Sequence, residues 1–331
     1  MFLLISKKYF TLEKLNNLIK TFEYKWADKT NRPAAIPQTF SVKKSIGGNA
    51  HENWALLRLL PLIIGPLVPE DEPVWHVVLD LKDIVELVVA PVHSDESIAY
   101  LEFKIDEHRL RYQDLFPNNR LLPKHHFLEH YPALIRQFGP LVHAWTKRFE
   151  AKHSVFKQIA RHTNCFKNIS LTLARKHQLA IASDLHCLHH RTPLSVTSVS
   201  SVPVDVLQGD IAAAIKQRLP DETDVHITNF ASYNGMNYNK GMILVHRQLF
   251  GLPELAEILQ ICILQGKIHF IVKKFSSWYR EHFRAFELDT SHVRGVALIE
   301  HGELLDDYPL AAYSVGCLRL VSLKRHTNLH G

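Results

Sequence analysis

Cysteine is scarce, with only Cys165, Cys187, Cys262 and Cys317 in 331 residues and no CxxC pair among them. That spacing argues against a disulfide framework and for a reducing compartment, nuclear or cytoplasmic and not secreted. Long apolar runs are missing too. The longest, Leu56 to Val68, is broken by Arg58, Pro61 and Pro66 and is too short to span a bilayer, so no membrane partner is expected. MFLLISKKYF is too short for a signal-peptide core and has no charged region ahead of it. There is no internal repeat. Acids are nearly absent from residues 120–180, where Glu129 and Glu150 face eleven Lys and Arg.

Hydrophobic residues make up 46% of the chain, enough for a sizeable core and two domains. The formal charge of +6 tilts it toward anionic partners. Leu12, Leu15, Leu18, Ile19 and Phe22 recur at helical spacing after Thr11, a suitable N-cap. A helix starts near Asn49 and meets Pro61, which should kink or end it. Residues 73–90 form a helix with a broad apolar face that includes Trp75 and Lys82, and Asp95 to Phe116 form another. Residues 1–120 therefore read as helical, with Asp28 in a polar loop. Residues 121–182 read as a basic, His-rich helical segment, and the Ser/Thr/Pro-rich residues 183–204 as a linker. Residues 205–331 read as a small β-rich domain: one short helix, then five to seven short strands in a barrel or sandwich, with a hairpin at Gln265-Gly266. The expected fold class is α+β.

Charge is segregated. Residues 67–107 hold eleven acids against Lys82 and Lys104, the reverse of residues 120–180. Either the acidic helices pack on the basic ones or face water, or the basic segment meets a phosphate backbone. The cations offered to DNA are Lys124, Lys147, Arg148, Lys152, Lys157, Arg161, Lys167, Arg175 and Lys176. His126 and His130 would share a helix face, as paired zinc ligands do, but Phe127 stands where the metalloprotease motif needs Glu. A structural role is assigned to His125, His126, His130, Trp145 and His153, and no metal site is expected. Glu150, ringed by cations, should stay ionised and is the one candidate for a catalytic, Mg²⁺-holding acid. His186-Cys187-x-His189-His190 matches no zinc-knuckle spacing. Trp278, Tyr279, His282, Phe283 and Arg284, beside Lys273 and Lys274, suit contact with single-stranded nucleic acid or peptide, or the rim of a barrel.

The run Pro123-Lys124-His125-His126, His130-Tyr131-Pro132, Phe138-Gly139-Pro140-Leu141, Trp145, Arg148-Phe149-Glu150-Ala151-Lys152-His153-Ser154 and Phe156-Lys157 resembles the C-terminal part of DNA transposases of the CACTA (EnSpm-like) type. Asn164-Cys165-Phe166-Lys167-Asn168, Lys176-His177-Gln178 and the upstream Ser45-Ile46-Gly47-Gly48-Asn49-Ala50 with Trp54 extend the likeness over roughly residues 10–185. Residues Glu257–Glu287 look like the small β domain that follows such a core. The resemblance implies a ribonuclease-H-like core, with residues 1–120 as its helical insertion and Glu150 as the last of three Mg²⁺-binding carboxylates. The family's other acids precede the part matched here. The expectation is a transposon-derived protein without nuclease activity and with no cofactor, Mg²⁺ belonging only to an intact parent enzyme. It would bind DNA through residues 121–180, or use the β domain as a nucleic-acid or peptide module with a protein partner. A first half with no sheet to pack on would expose apolar surface and be marginally stable alone.

Overall fold

The structure, a computed structural model, describes all residues but 44, 165, 189–193, 250 and 327–331; of 147–151 and 187–188 it describes the backbone only. The first part is helical: α1 (Phe2–Ser6), α2 (Leu12–Thr21), α3 (Phe40–Lys43), α4 (Ala50–Ile64), α5 (Pro73–Val88), α6 (Asp95–Leu115), α7 (Pro123–Phe138), α8 (Lys147–Thr163) and α9 (Ile169–Leu188). Local chemistry sets the helix ends. Thr11 accepts the Lys14 amide at 3.1 Å to cap α2. Asn49 and Glu52 close a reciprocal capping box on α4. Pro61 stays inside α4, which runs only three residues further before a 3₁₀ turn at Gly65–Leu67.

Strands follow: β1 (Leu194–Val196), β2 (Ser200–Pro203), then α10 (Gly209–Arg218), β3 (Asp224–Thr228), β4 (Phe230–Tyr233), β5 (Met236–Asn239), β6 (Ile243–Leu249), β7 (Leu252–Leu264), β8 (Lys267–Arg280), β9 (Ala285–Glu300), β10 (Asp306–Leu310), β11 (Ala312–Val315) and β12 (Leu318–Val321). The expected linker is thus partly structured. α9 reaches into it, β1 pairs antiparallel with β4, and β2 pairs with β3. Its Ser, Thr and Val residues suit strands as well as loops.

The strands are also more numerous and longer than expected. β7, β8 and β9 run 13 to 16 residues. Bulges within them change which face each side chain meets and blur the alternation that marks a strand. The β7–β8 hairpin turns at Gln265-Gly266, both at positive φ, with Leu264 paired to Lys267. The main sheet runs β10-β6-β7-β8-β9-β12-β11, every pairing antiparallel. Its end strands β10 and β11 are consecutive in the chain with only Ala311 between them. The sheet must therefore curl until its two edges meet at Ala311, a barrel-like closure that leaves few free edges.

The helical half does not lack a sheet to pack on, contrary to expectation. One core joins Leu4, Leu15, Ile19, Leu59, Ile64 and Trp75 to Ala285, Ala311, Tyr313, Val315 and Leu320. Polar links cross the same junction. Lys25 donates to the Ala312 carbonyl at 2.7 Å, His282 to the Gly65 carbonyl at 2.8 Å, and Lys82 to the Arg284 carbonyl at 2.7 Å. Asp28 is not a solvated loop residue. It pairs with buried Arg58 and accepts the Tyr313 hydroxyl at 2.6 Å. Among the described residues no helix is long and apolar enough to cross a membrane.

Candidate functional site

Two places stand out, a basic helical hairpin and a charged cavity. The hairpin is α8–α9. Its turn uses Asn164 and Asn168 at positive φ, a conformation that asparagine tolerates better than most residues. Phe156 meets His177 edge-on with ring centres 5.5 Å apart, and Lys176 donates to the Thr163 hydroxyl at 3.2 Å. No described side chain from 152 to 186 is buried. Phe156 and Ile159 are only half-buried.

Lys157, Arg161, Lys167, Arg175 and Lys176 are exposed and Lys152 is half-buried, its ammonium 5.9 Å from the Phe156 ring centre. Among the described residues none of these six pairs with an acid. Several cations of the strand region differ. Arg280 meets Glu287 at 2.5 Å, Arg319 meets Glu257 at 2.8 Å, Arg218 meets Glu303 at 2.8 Å and Lys274 meets Glu254 at 3.4 Å. His153, Lys157 and Arg161 recur every four residues and form one ridge along α8. The side chains of Lys147, Arg148, Glu150 and Cys187, and residues Cys165, His189 and His190, lie outside the described set.

The other sequence candidates sit on α7 and beside it. Lys124 is exposed at its start. His125 accepts the Leu122 amide at 3.0 Å and faces Tyr112 at 5.0 Å between ring centres. His126 and His130 do share a face, with their Nε2 atoms 3.1 Å apart. Glu129 beside them is held by Arg109 at 2.5 Å. Trp145 stands against Trp54 with ring centres 5.7 Å apart, so the two tryptophans of the resemblance meet in space. No cluster of three or more His, Cys, Asp or Glu that could hold a metal occurs among the described residues. Among the described residues the three carboxylates that a transposase-type Mg²⁺ needs are not brought together.

The cavity, about 460 Å³, opens where α5 and α6 meet β7–β9. Asp80 anchors it, fully buried between Lys104 at 3.0 Å, Arg111 and Arg284. Lys104 also meets Glu107 at 2.7 Å, and Lys82 meets Glu86 at 2.5 Å. The acidic helices therefore answer cations of their own and of the sheet; α7 contributes only Arg136 to Glu102 at 3.1 Å and Glu129 to Arg109. Burial pushes the Asp83 carboxyl up to about 6, against the pull of Arg284, and raises Glu86 as well. The sequence held one signal of this place. Asp80, Asp83 and Glu86 are spaced by three around Lys82 on an otherwise apolar helix, so they must turn inward or find partners.

The sign of the Asp83 shift gives a testable consequence. A carboxyl whose folded pKa is raised favours the fold when protonated, and that advantage is lost as pH rises from about 4 through about 6. Asp83→Asn is therefore expected to be more stable than wild type at pH 7.5, by about 1–2 kcal/mol after allowing for the lost Arg284 contact. The gain should vanish near pH 4. Urea melts at both pH values check this; a variant less stable at pH 7.5 would contradict it.

No family model, curated protein or solved structure matches this chain.

Proposed function

We propose that this chain is a transposase-derived, non-catalytic protein that binds nucleic acid through the α8–α9 hairpin. The observation that carries this is the row of exposed cations on α8–α9 with no acidic partner among the described residues, whereas Arg218, Arg280 and Arg319 of the strand region each meet an acid. Phosphates supply the missing negative charge, and neutralising them releases counterions into solution. The resemblance of residues 121–180 to CACTA-type transposases supports the same reading and makes the hairpin the flank of a ribonuclease-H-like core. Within these 331 residues it assigns a single metal-binding acid, Glu150, so in-line phosphoryl transfer has no complete site in this chain. The β-domain alternative is less favoured because Lys274, Arg280 and Arg319 are already engaged by Glu254, Glu287 and Glu257.

Fluorescence anisotropy with labelled duplex and single-stranded oligonucleotides tests this. With about three phosphate contacts, affinity should fall about 40-fold between 50 and 200 mM salt. Lys157→Glu, Arg161→Glu and Arg175→Glu combined should abolish measurable binding while leaving the melting temperature unchanged, since all three side chains are exposed. Binding that survives this triple change, or that ignores salt, would refute the assignment. Mg²⁺-dependent cleavage of the same DNA, lost on Glu150→Gln, would show that the chain is an enzyme.

A further inference from the structure

The cavity between the helices and the sheet is lined by a carboxylate, Asp83, that the fold pairs by charge but not by hydrogen bonds. Asp83 is 12% exposed, yet no described residue donates it a hydrogen bond. Its nearest cations are Arg284 Nε at 3.0 Å and Lys104 at 3.9 Å. The Arg284 N–H is not aimed at it and itself lacks a hydrogen-bond partner. Among the described residues Glu86, 14% exposed, is met only at Oε1, by Lys82. Both carboxyls line the cavity. Asp83 thus keeps its hydrogen-bonding capacity for the cavity, whereas Asp80, fully buried a few residues away, takes Lys104 and Arg111.

The remaining wall decides what could answer it. Tyr100, Tyr279, Phe286 and Leu252 give the cavity an apolar and aromatic side. An anion would find Lys104 and Arg284 already matched, by Asp80, Glu107 and Glu281. A bare metal ion would find a wall that is half apolar. A cation with an apolar body fits both sides, since aromatic faces attract positive charge and carboxylates accept its N–H groups. The volume lies in the range of small-molecule sites.

We propose that this cavity binds a small organic cation, a protonated amine on an aromatic or aliphatic body, with its ammonium at Asp83 and Glu86 and its body between Tyr100, Tyr279 and Leu252. Such a ligand would bridge α5 and α6 to the sheet and stabilise the junction between the two halves of the chain. An ammonium there offsets the burial that raises both carboxyls. The site is distant in chemistry from the hairpin and does not depend on nucleic-acid binding.

Isothermal titration and thermal shift on the full chain test it, with phenethylamine, hexylamine and agmatine as probes. At least one should bind saturably with a Kd of about 1 mM or tighter and raise the melting temperature. 2-Phenylethanol and phenylacetate, which share the body of phenethylamine without its charge, should bind at least about tenfold more weakly. Asp83→Asn should lose amine binding while remaining folded. Leu252→Trp, at a position 37% exposed at the cavity, should block it sterically with little effect on the fold. No binding by any amine at about 10 mM, equal binding of the neutral alcohol, or undiminished binding by Asp83→Asn would overturn the proposal.

Discussion

Trp75→Ala is expected to lower stability by about 3–5 kcal/mol, the cost of emptying a large, closely packed site. Trp75 is fully buried on α5 and belongs to the core shared by the helices and the sheet. Its indole N–H reaches the His282 carbonyl at 3.4 Å, and its ring stands 6.0 Å from that of His282. His282 in turn holds the Gly65 carbonyl, where even a methyl group would fall 2.7 Å from Phe283. The loss should therefore be cooperative. Tryptophan fluorescence, carried mostly by Trp26, Trp54 and Trp145 of the helical half, and far-ultraviolet circular dichroism of the whole chain should melt at the same, lower denaturant concentration. Two separate transitions in the wild type would show that the halves fold independently and that this core is not shared.

Arg58→Ala should cost a similar amount, about 3–5 kcal/mol, by another route. Arg58 is 5% exposed on α4, and its guanidinium pairs with Asp28. Asp28 also accepts the Tyr313 hydroxyl at 2.6 Å, so removing the cation strands a carboxylate among apolar neighbours. Burial, and then Asp28, hold the Tyr313 hydroxyl well above its ordinary pKa. The double variant Asp28→Asn with Arg58→Met removes both charges and should recover about half of the loss, because a matched neutral pair no longer leaves a buried charge unpaired. Denaturant melts of Arg58→Ala and of the double variant measure the recovery. An Arg58→Ala penalty below about 1 kcal/mol would mean that solvent reaches the pair.

What the sequence made legible was local. Thr11 and Asn49 mark helix starts by bonds to residues two or three positions away, and Gln265-Gly266 fixes a hairpin by its own backbone. The α8–α9 cations were readable for the opposite reason: little in the fold reaches them, so their chemistry in isolation is their chemistry in the structure. Buried ionic residues were not readable. Lys82 appeared as one member of an apolar face and Asp28 as a polar loop residue, and both owe their burial to partners near residues 284 and 313. The amine cavity draws Asp83, Tyr100 and Arg284 from three distant segments, so no window along the chain contains it. The strands at 194–203 were missed because Ser, Thr and Pro mark turns, whereas pairing with β4 and β3 decided their state.

The shared core of α1–α5 with residues 285–320 also fixes an order of events during synthesis. A nascent chain emerges from its N-terminus, so Leu4, Leu15, Leu59 and Trp75 leave the ribosome long before Tyr313 and Leu320 exist. Helices can form at once, because their bonds are local. Their apolar faces cannot close until more than 200 further residues have been added, a separation fixed by Trp75 and Ala285. At typical elongation rates of about 5–20 residues per second that interval lasts at least about 10 seconds. During it the helical half is a client for any chaperone that holds exposed apolar surface, and its yield in a cell depends on that protection as much as on the final stability of the fold.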